Sequence, residues 1–244
     1  MQLDVAPRLA RITPFYYGWV ILFSAGTSLF VRNAAASLTI SVFIFPISED
    51  LGWSRTLIAG AASAGGLAAT GASPLVGWLS DRYGVRIVLA VSILVLGLST
   101  ISLAWATAPI AFYLAYGMGR VIFSSPTQIG ASVVVSRWFV RLRGRATGIL
   151  FLSHSAGMTL FPLIAGLVIA SRGWQDAWIV LGVLVWVIAL GPVTLLIIQR
   201  PEDVGLRPDG GSSVPEDKHS QPAAARREAA TWTLREAMRA PALW

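Results

Sequence analysis

The hydrophobic residues of the chain fall into six long runs, and most charged residues lie between these runs. An α-helix rises 1.5 Å per residue, so about 20 apolar residues span a hydrocarbon core of about 30 Å. Each run is long enough for one crossing. The pattern therefore predicts an all-α membrane protein with six transmembrane helices. The runs cover residues 15–31, 56–79, 87–106, 110–135, 144–170 and 177–198.

The first run has two possible interpretations. Arg8 and Arg11 precede it and three alanines follow it, as at a cleaved signal peptide. However, the run is longer than a normal signal core, and five similar runs come after it. We interpret it as a retained first membrane helix. If this helix continues past Arg32 to about Pro46, it must tilt, bend or protrude from the bilayer.

The basic residues predict the orientation. Of the 19 Lys and Arg residues, 15 lie before the first run, in the second and fourth connections, or after the sixth run. Basic residues concentrate on the cytoplasmic side, so both termini are predicted to be cytoplasmic, with the bundle in the cell (inner or plasma) membrane. The predicted organisation is a cytoplasmic N-terminus (1–14), a six-helix transmembrane domain (15–198), a Pro- and Gly-rich cytoplasmic linker (199–232) and an amphipathic segment (233–244) leading to a missing second half.

The composition excludes several classes of function. A mean hydropathy of +0.66 with 13% charged residues is not that of a soluble domain. The chain has no cysteine and two histidines, and it lacks the common nucleotide, zinc-peptidase and serine-hydrolase motifs. We therefore expect no enzymatic activity, no cofactor and no metal site. The net charge of +7 does not indicate nucleic acid, because the basic residues alternate between connections and form no single stripe.

One connection carries a dense group of charged residues and glycines between the second and third runs. Glycine near the end of a helix allows a neighbour to approach, and glycine within the turn permits a sharp reversal. An acid ahead of the third helix is favoured by the helix dipole. Arg86 falls at the less favourable end of that helix, so lipid phosphate or a carboxylate is its expected partner. The residues concerned are Gly77, Asp81, Arg82, Gly84 and Arg86.

This stretch resembles the Gly-x-Leu-x-Asp-Arg-x-Gly-x-Arg motif of the major facilitator superfamily, in the cytoplasmic loop between the second and third helices. The resemblance implies a transporter with twelve helices in two halves, of which this chain is the N-terminal half, folded as a 3+3 inverted repeat. It also implies a gating role for the motif and no direct contact between the motif and the solute. The expected partners are the lipid bilayer and a C-terminal six-helix half of the same or another chain.

Further segments resemble the monocarboxylate and oxalate/formate-type branch of that superfamily, which implies a small anionic solute. They are Tyr17-Gly18-Trp19, Asp50 to Arg55, Arg137-Trp138-Phe139 with Arg143-Gly144, Gly173-Trp174, and Arg200 to Leu206.

Candidate solute contacts follow from that architecture, in which the first and fourth helices line the cavity. Arg32 and Arg120 lie deep in these helices, where a charge costs a few kcal/mol, and no acid within the six runs neutralises them. Two unpaired guanidinium groups suit a carboxylate. His154, near mid-depth in the fifth helix, is a candidate for proton coupling, and Ser124 and Gln128 could shape the pocket.

Each candidate also has a structural interpretation. Arg32 could extend to the outer interface, Arg120 could be the structural arginine that many superfamily members carry, and His154 could be a neutral residue packed between helices. The leading hypothesis is transport of a mono- or dicarboxylate by alternating access, with proton symport as one option. The alternatives are a drug or metabolite efflux carrier, and a half-length fragment or assembly partner that does not transport.

Overall fold

The computed structural model describes residue 6, residue 13 and residues 15–124 and 126–210. Regular structure in these residues is entirely helical. The predictions for most of residues 1–14, for most of the linker 199–232 and for the amphipathic segment 233–244 lie outside the described residues.

The described residues form helices that correspond to the six predicted crossings. The helices are α1 (Gly18–Val31), α2 (Ser37–Leu51), α3 (Arg55–Tyr83), α4 (Val85–Ser102), α5 (Pro109–Ser124), α6 (Pro126–Trp138), α7 (Arg143–Arg172), α8 (Trp174–Val185) and α9 (Gly191–Leu196). We call the crossings spans 1 to 6: span 1 contains α1 and α2, span 2 is α3, span 3 is α4, span 4 contains α5 and α6, span 5 is α7, and span 6 contains α8 and α9. The predicted all-helical membrane fold is thus confirmed. Shorter 3-10 turns cover Arg32–Ala35, Leu103–Trp105, Pro201–Val204 and Pro208–Gly210, and a π-helical turn, Trp186–Leu190, joins α8 to α9.

Within the described residues, four segments are long and apolar enough to cross a membrane by length and composition: Gly18–Leu51, Val85–Trp105, Arg143–Arg172 and Trp174–Leu196. Span 2 is also long enough, but five glycines and seven alanines among its 29 residues lower its hydropathy. Span 4 is described as two shorter helices, because residue 125 lies outside the described residues. Spans 2 and 4 are therefore not among these four segments.

Span 1 is interrupted in its middle. After α1, a 3-10 turn covers Arg32–Ala35, and Ala36 is extended (φ −74°, ψ 154°) before α2 begins. The hydroxyl of Thr39 donates a hydrogen bond to the Asn33 carbonyl oxygen at 2.6 Å, so one carbonyl freed by the interruption is satisfied locally. The long first run is therefore bent at this point, which is one of the three outcomes expected from its length.

The spans pack as neighbouring pairs, chiefly span 2 with span 4, span 1 with span 5 and span 3 with span 6. Small residues allow the closest approaches, as expected where lipid supplies no hydrophobic force between helices. Gly157 in span 5 lies against the main chain of Phe30 in span 1. Large aromatic side chains fill the remaining core; for example, Phe43 and Trp178 stack with ring centroids 3.7 Å apart.

Three side chains from other spans satisfy the end of span 6. The last carbonyls of a helix have no partner within the helix. Here the Thr194 carbonyl accepts hydrogen bonds from Arg86, the Leu196 carbonyl accepts one from the Tyr17 hydroxyl at 2.9 Å, and the Ile198 carbonyl accepts one from the Trp138 indole N–H at 3.1 Å. These donors come from spans 3, 1 and 4. The end of span 6 is thus bonded to three other parts of the bundle.

The chain beyond span 6 stays attached to the same end of the bundle as far as residue 210. Pro201 is buried, and the carboxylate of Asp209 accepts hydrogen bonds from the main-chain N–H groups of residues 140–142, at the start of span 5. Partial desolvation acts to raise the pKa of Asp209. The donors from Arg141, Leu142 and Val140 outweigh it, so the pKa lies below its ordinary value. The sequence favours a solvated linker from residue 199, but this first part of it is packed.

Candidate functional site

The connection between spans 2 and 3 contains the gating motif. Gly84 separates the two helices with a positive φ of 83°, a conformation that favours glycine, and its N–H donates to the Ser80 carbonyl. Asp81 and Arg82 are exposed, and Asp81 has no hydrogen bond or ion pair within the described residues. Arg82 lies over the rings of Trp78 and Tyr83.

Two motif residues differ from the sequence-based expectation. Arg86 bonds the main-chain carbonyl of Thr194, a partner that the sequence did not suggest. It lies at the carbonyl end of span 6, where the helix dipole favours a cation. Gly77 was expected to let a neighbour approach, but a β-carbon at Gly77 would have nothing within 4 Å among the described residues. Its surface is open in this bundle.

The candidate solute residues meet where the interruption of span 1 lies beside the proline-containing part of span 4. Pro126 has no N–H to donate to the Ile122 carbonyl, four residues earlier in the chain. The Thr127 hydroxyl instead donates to the Ile122 carbonyl at 2.8 Å. Ser124 ends α5 and is partly exposed.

The guanidinium group of Arg32 is surrounded by hydrogen-bond acceptors of the protein. It is only 3% exposed, and its Nη1 donates to the Phe123 carbonyl at 3.0 Å and to the Gln128 side-chain oxygen at 2.9 Å. Its Nη2 lies 3.4 Å from Nε2 and 3.5 Å from Nδ1 of His154. Arg32 is therefore not the unpaired cation that the sequence suggested, because span 4 offers it a main-chain carbonyl and a side-chain amide oxygen.

His154 also faces a second donor, Asn33, which is fully buried. The Asn33 side-chain nitrogen lies 3.2 Å from His154 Nδ1 and 3.2 Å from the His154 carbonyl, and it also donates to the carbonyls of Leu29 and Phe30. Two donors converging on one ring fit a neutral imidazole that accepts at Nδ1. The sequence interpretation missed Asn33. Its signal was a polar side chain within an apolar run, which requires partners.

Arg120 differs from Arg32 in its exposure and in its bonding partners. It is partly exposed, and no hydrogen bond or ion pair joins it to another described residue. Its guanidinium carbon lies 4.8 Å from the centre of the Phe123 ring, and the guanidinium of Arg32 lies 4.4 Å from the same centre. The stem of Arg120 packs on Gly65 of span 2. Phe123, which the sequence interpretation did not select as a contact, thus lies beside both cations.

A groove on another part of the bundle does not include these candidates. It has a volume of about 450 Å³ between span 1 and spans 5 and 6, and its lining includes Trp19, Phe23, Phe30 and Ser153 but not Arg32, Arg120 or His154. The lining is mainly apolar. Within the described residues, no group of three or more His, Cys, Asp or Glu side chains could hold a metal ion.

The fold and these contacts define an all-helical, multi-pass membrane protein with charged side chains in the interior of its bundle. The sequence profile of the Major Facilitator Superfamily matches residues 18–244, and the chain belongs to that family. This confirms the resemblance found in the connection between spans 2 and 3.

Individual relatives are distant. The chain is 24% identical to the uncharacterized MFS-type transporter YcxA of Bacillus subtilis, over 78% of this chain and 46% of that protein. It is 30% identical to probable anion transporter 6, chloroplastic, of Arabidopsis thaliana, over 75% of this chain and 37% of that protein. It is 24% identical to monocarboxylate transporter 6 of Mus musculus, over 68% of this chain and 35% of that protein. The chain spans less than half the length of each of these relatives.

Proposed function

We propose that the chain contributes six spans to a secondary transporter that moves a small organic anion by alternating access. Arg120 carries this proposal. A charge in the interior of a membrane bundle normally has a partner or faces a wet cavity. Arg120 has no hydrogen-bonded or ionic partner among the described residues, and the acids that are described lie at helix ends or beyond span 6. An anionic solute would supply the missing negative charge.

The chemistry of arginine favours a carboxylate as that solute. A guanidinium group offers forked N–H donors that match the two oxygens of a carboxylate, and such charge-assisted bonds are about twice as strong as neutral ones. The names of two relatives, an anion transporter and a monocarboxylate transporter, support the same class. An unpaired cation without a nearby acid argues against a cationic drug as the solute.

The role of the bundle in this proposal is transport and not catalysis. The solute would bind beside Arg120 of span 4, near the interruption of span 1, and the motif between spans 2 and 3 would control the conformational change. His154 is the candidate for coupling to protons, because it is the histidine within the spans and both of its ring nitrogens lie near Arg32. The proposed location is the inner or plasma membrane, with the arginine-rich connections in the cytoplasm.

The test is uptake of labelled mono- and dicarboxylates by liposomes that contain the full-length gene product. We expect Arg120→Ala to abolish uptake while the protein remains folded, because the variant removes the free guanidinium. Arg172→Ala is the matched control, since Arg172 is exposed at the end of span 5. If uptake is undiminished in Arg120→Ala, Arg120 is not part of the solute site.

The same liposomes test the coupling ion. Uptake is measured across a range of pH values for the unmodified protein and for His154→Gln. A pH dependence that disappears in the variant would support coupling at His154. Superimposable pH profiles for the two proteins would indicate that His154 has only a packing role.

A further inference from the structure

One aromatic ring, that of Phe123, lies beside both intramembrane arginines. The guanidinium carbon of Arg32 lies 4.4 Å from the ring centre, and that of Arg120 lies 4.8 Å from it. The two carbons are therefore at most about 9 Å apart, and like charges repel each other at that distance. The face of an aromatic ring is negative and attracts a cation within about 6 Å of its centre. Phe123 thus gives both arginines a favourable neighbour.

The two arginines depend on this ring to different degrees. Arg32 also donates from Nη1 to the Phe123 carbonyl at 3.0 Å and to the Gln128 side-chain oxygen at 2.9 Å. Arg120 has no hydrogen bond or ion pair among the described residues, and its guanidinium group lies over the Phe123 ring. Hydrogen bonds fix Arg32 with or without the ring. The placement of the Arg120 guanidinium group relies on the ring.

The stem of Arg120 is confined by span 2. A β-carbon on Gly65 would lie 2.8 Å from both Cβ and Cγ of Arg120, so the stem fits there because Gly65 has no side chain. Arg120 and Phe123 are three residues apart in α5, a spacing that places two side chains on the same face of a helix. The Nε atom of Arg120 is buried without a hydrogen-bond partner among the described residues, although the residue as a whole is partly exposed. A glycine surface and an aromatic ring thus hold this side chain and leave its N–H donors free.

We propose that Phe123 is a positioning residue that holds the guanidinium group of Arg120 in place for the anionic solute. This inference rests on the proposed transport function and adds to it a residue that acts through Arg120. A free arginine side chain loses much rotamer freedom when it binds in one geometry, and a group that is already ordered loses less. The ring therefore increases the affinity for the solute. Weakening its attraction for Arg120 should raise KM and leave the maximal rate of uptake.

The first experiment weakens this attraction with little change in the shape of the side chain. Mono-, di- and trifluorinated phenylalanine are incorporated at position 123 of the full-length gene product, and liposomes are assayed for uptake of labelled propionate and succinate. Fluorine withdraws electron density from the ring face, so the attraction for a cation falls with each fluorine. We expect KM to rise stepwise, about fivefold for the trifluorinated ring, the equivalent of about 1 kcal/mol, with the maximal rate almost unchanged.

Phe161 provides the matched control for this series. Its ring packs against that of Phe30 with ring centres 5.5 Å apart, and no guanidinium group of the described residues lies over it. The same fluorinated residues at position 161 should leave KM unchanged. A constant KM across the series at position 123 would overturn the inference. A KM that falls with fluorination would also overturn it, because an electron-poor ring attracts an anion, and the solute would then contact the ring itself.

The second experiment displaces Arg120 from its contact with span 2. Gly65→Ala places a methyl group against the stem of Arg120. Gly71→Ala in the same helix is the matched control, because its β-carbon would have nothing within 4 Å among the described residues. We expect Gly65→Ala to raise KM and Gly71→Ala to leave it near that of the unmodified protein. Equal KM values for the two variants would contradict a fixed position of Arg120. If Gly65→Ala does not fold, the fluorinated series still decides.

A third measurement does not depend on transport. Unfolding in detergent micelles is compared for Arg120→Met, Phe123→Leu and the double variant. We expect the two residues to be coupled by about fivefold in the unfolding equilibrium constant. Phe123→Leu combined with Arg172→Met is the control and should show no coupling, since Arg172 is exposed at the end of span 5.

The transport assay and the unfolding measurement separate two kinds of failure. If the unmodified protein takes up neither propionate nor succinate, the proposed function fails for these carboxylates, and the unfolding measurement decides whether the ring holds Arg120. An absence of coupling between Arg120 and Phe123 would then refute the inference. If uptake occurs and KM does not respond to fluorination at position 123, the proposed function stands and the role of Phe123 is refuted.

Discussion

Gly157 provides the sharpest test of how spans 1 and 5 are packed. A β-carbon at this position would overlap the Phe30 carbonyl oxygen and would lie 2.5 Å from the side-chain nitrogen of Asn33. The oxygen belongs to the main chain and cannot rotate away. Gly157→Ala must therefore push the two spans apart, and it must also disturb the hydrogen bonds between Asn33 and His154.

The expected magnitude follows from opposing terms. Alanine is favoured over glycine within a helix by about 1 kcal/mol. Overpacking costs about 1–3 kcal/mol, and a weakened hydrogen bond costs about 1 kcal/mol more. The net change for Gly157→Ala is then a loss of about 2 kcal/mol in the free energy of unfolding. Gly148→Ala in the same helix is the matched control, because its β-carbon would have nothing within 4 Å among the described residues.

The assay is reversible unfolding of the purified chain in detergent micelles, followed by circular dichroism. We expect Gly157→Ala to be less stable than the unmodified protein and Gly148→Ala to be equal to it or more stable by up to about 1 kcal/mol. If the two variants have the same stability, the close contact between spans 1 and 5 is not present, and the argument from Gly157 fails.

Two further predictions concern the arginine-rich end of the bundle. Asp209→Asn should lower stability by about 1 kcal/mol at neutral pH, because it replaces the charged acceptor at residues 140–142, while asparagine tolerates the positive φ of 57° at this position. The folded-state pKa of Asp209 is lowered, so its contribution is full above the ordinary carboxyl pKa and is lost as the pH falls through the lowered value. Unfolding of Asp209→Asn, with Glu202→Gln as control, should therefore converge with that of the unmodified protein in acid; a difference that persists in acid would contradict this. In intact cells, an impermeant maleimide should label Thr107→Cys but not Val140→Cys, and the reverse pattern would invert the proposed orientation.

The pattern of apolar residues was sufficient to predict the spans, because each crossing depends on local length and composition. It also predicted that the long first run must tilt, bend or protrude. It could not predict the position of the interruption, which depends on what the freed carbonyls meet. Tyr116 supplies that partner for the Ala35 carbonyl from a different span, 81 residues away in the chain.

The candidate site also combines residues that the sequence indicated with contacts that it could not show. Depth along the helices marked Arg32 and Arg120 as intramembrane cations, and the structure encloses Arg32 almost fully. The sequence could not distinguish Arg32 from Arg120, because their difference lies in tertiary partners: Phe123 is 91 residues away from Arg32, and Gln128 is 96 residues away. Asn33 was detectable in principle as a polar residue in an apolar run, and its contact with His154 was not.

The bonds at the end of span 6 also have a consequence for biogenesis. The donors that satisfy its carbonyls belong to Tyr17, Arg86 and Trp138, all of which precede span 6 in the chain. They are therefore synthesised before the carbonyls that they will bond. Until residues 194–198 emerge, three donors at this end lack the partners they have in the folded bundle. Span 6 thus completes the assembly of the earlier spans, and a chain that stops short of it would expose an unfinished surface to cellular quality control.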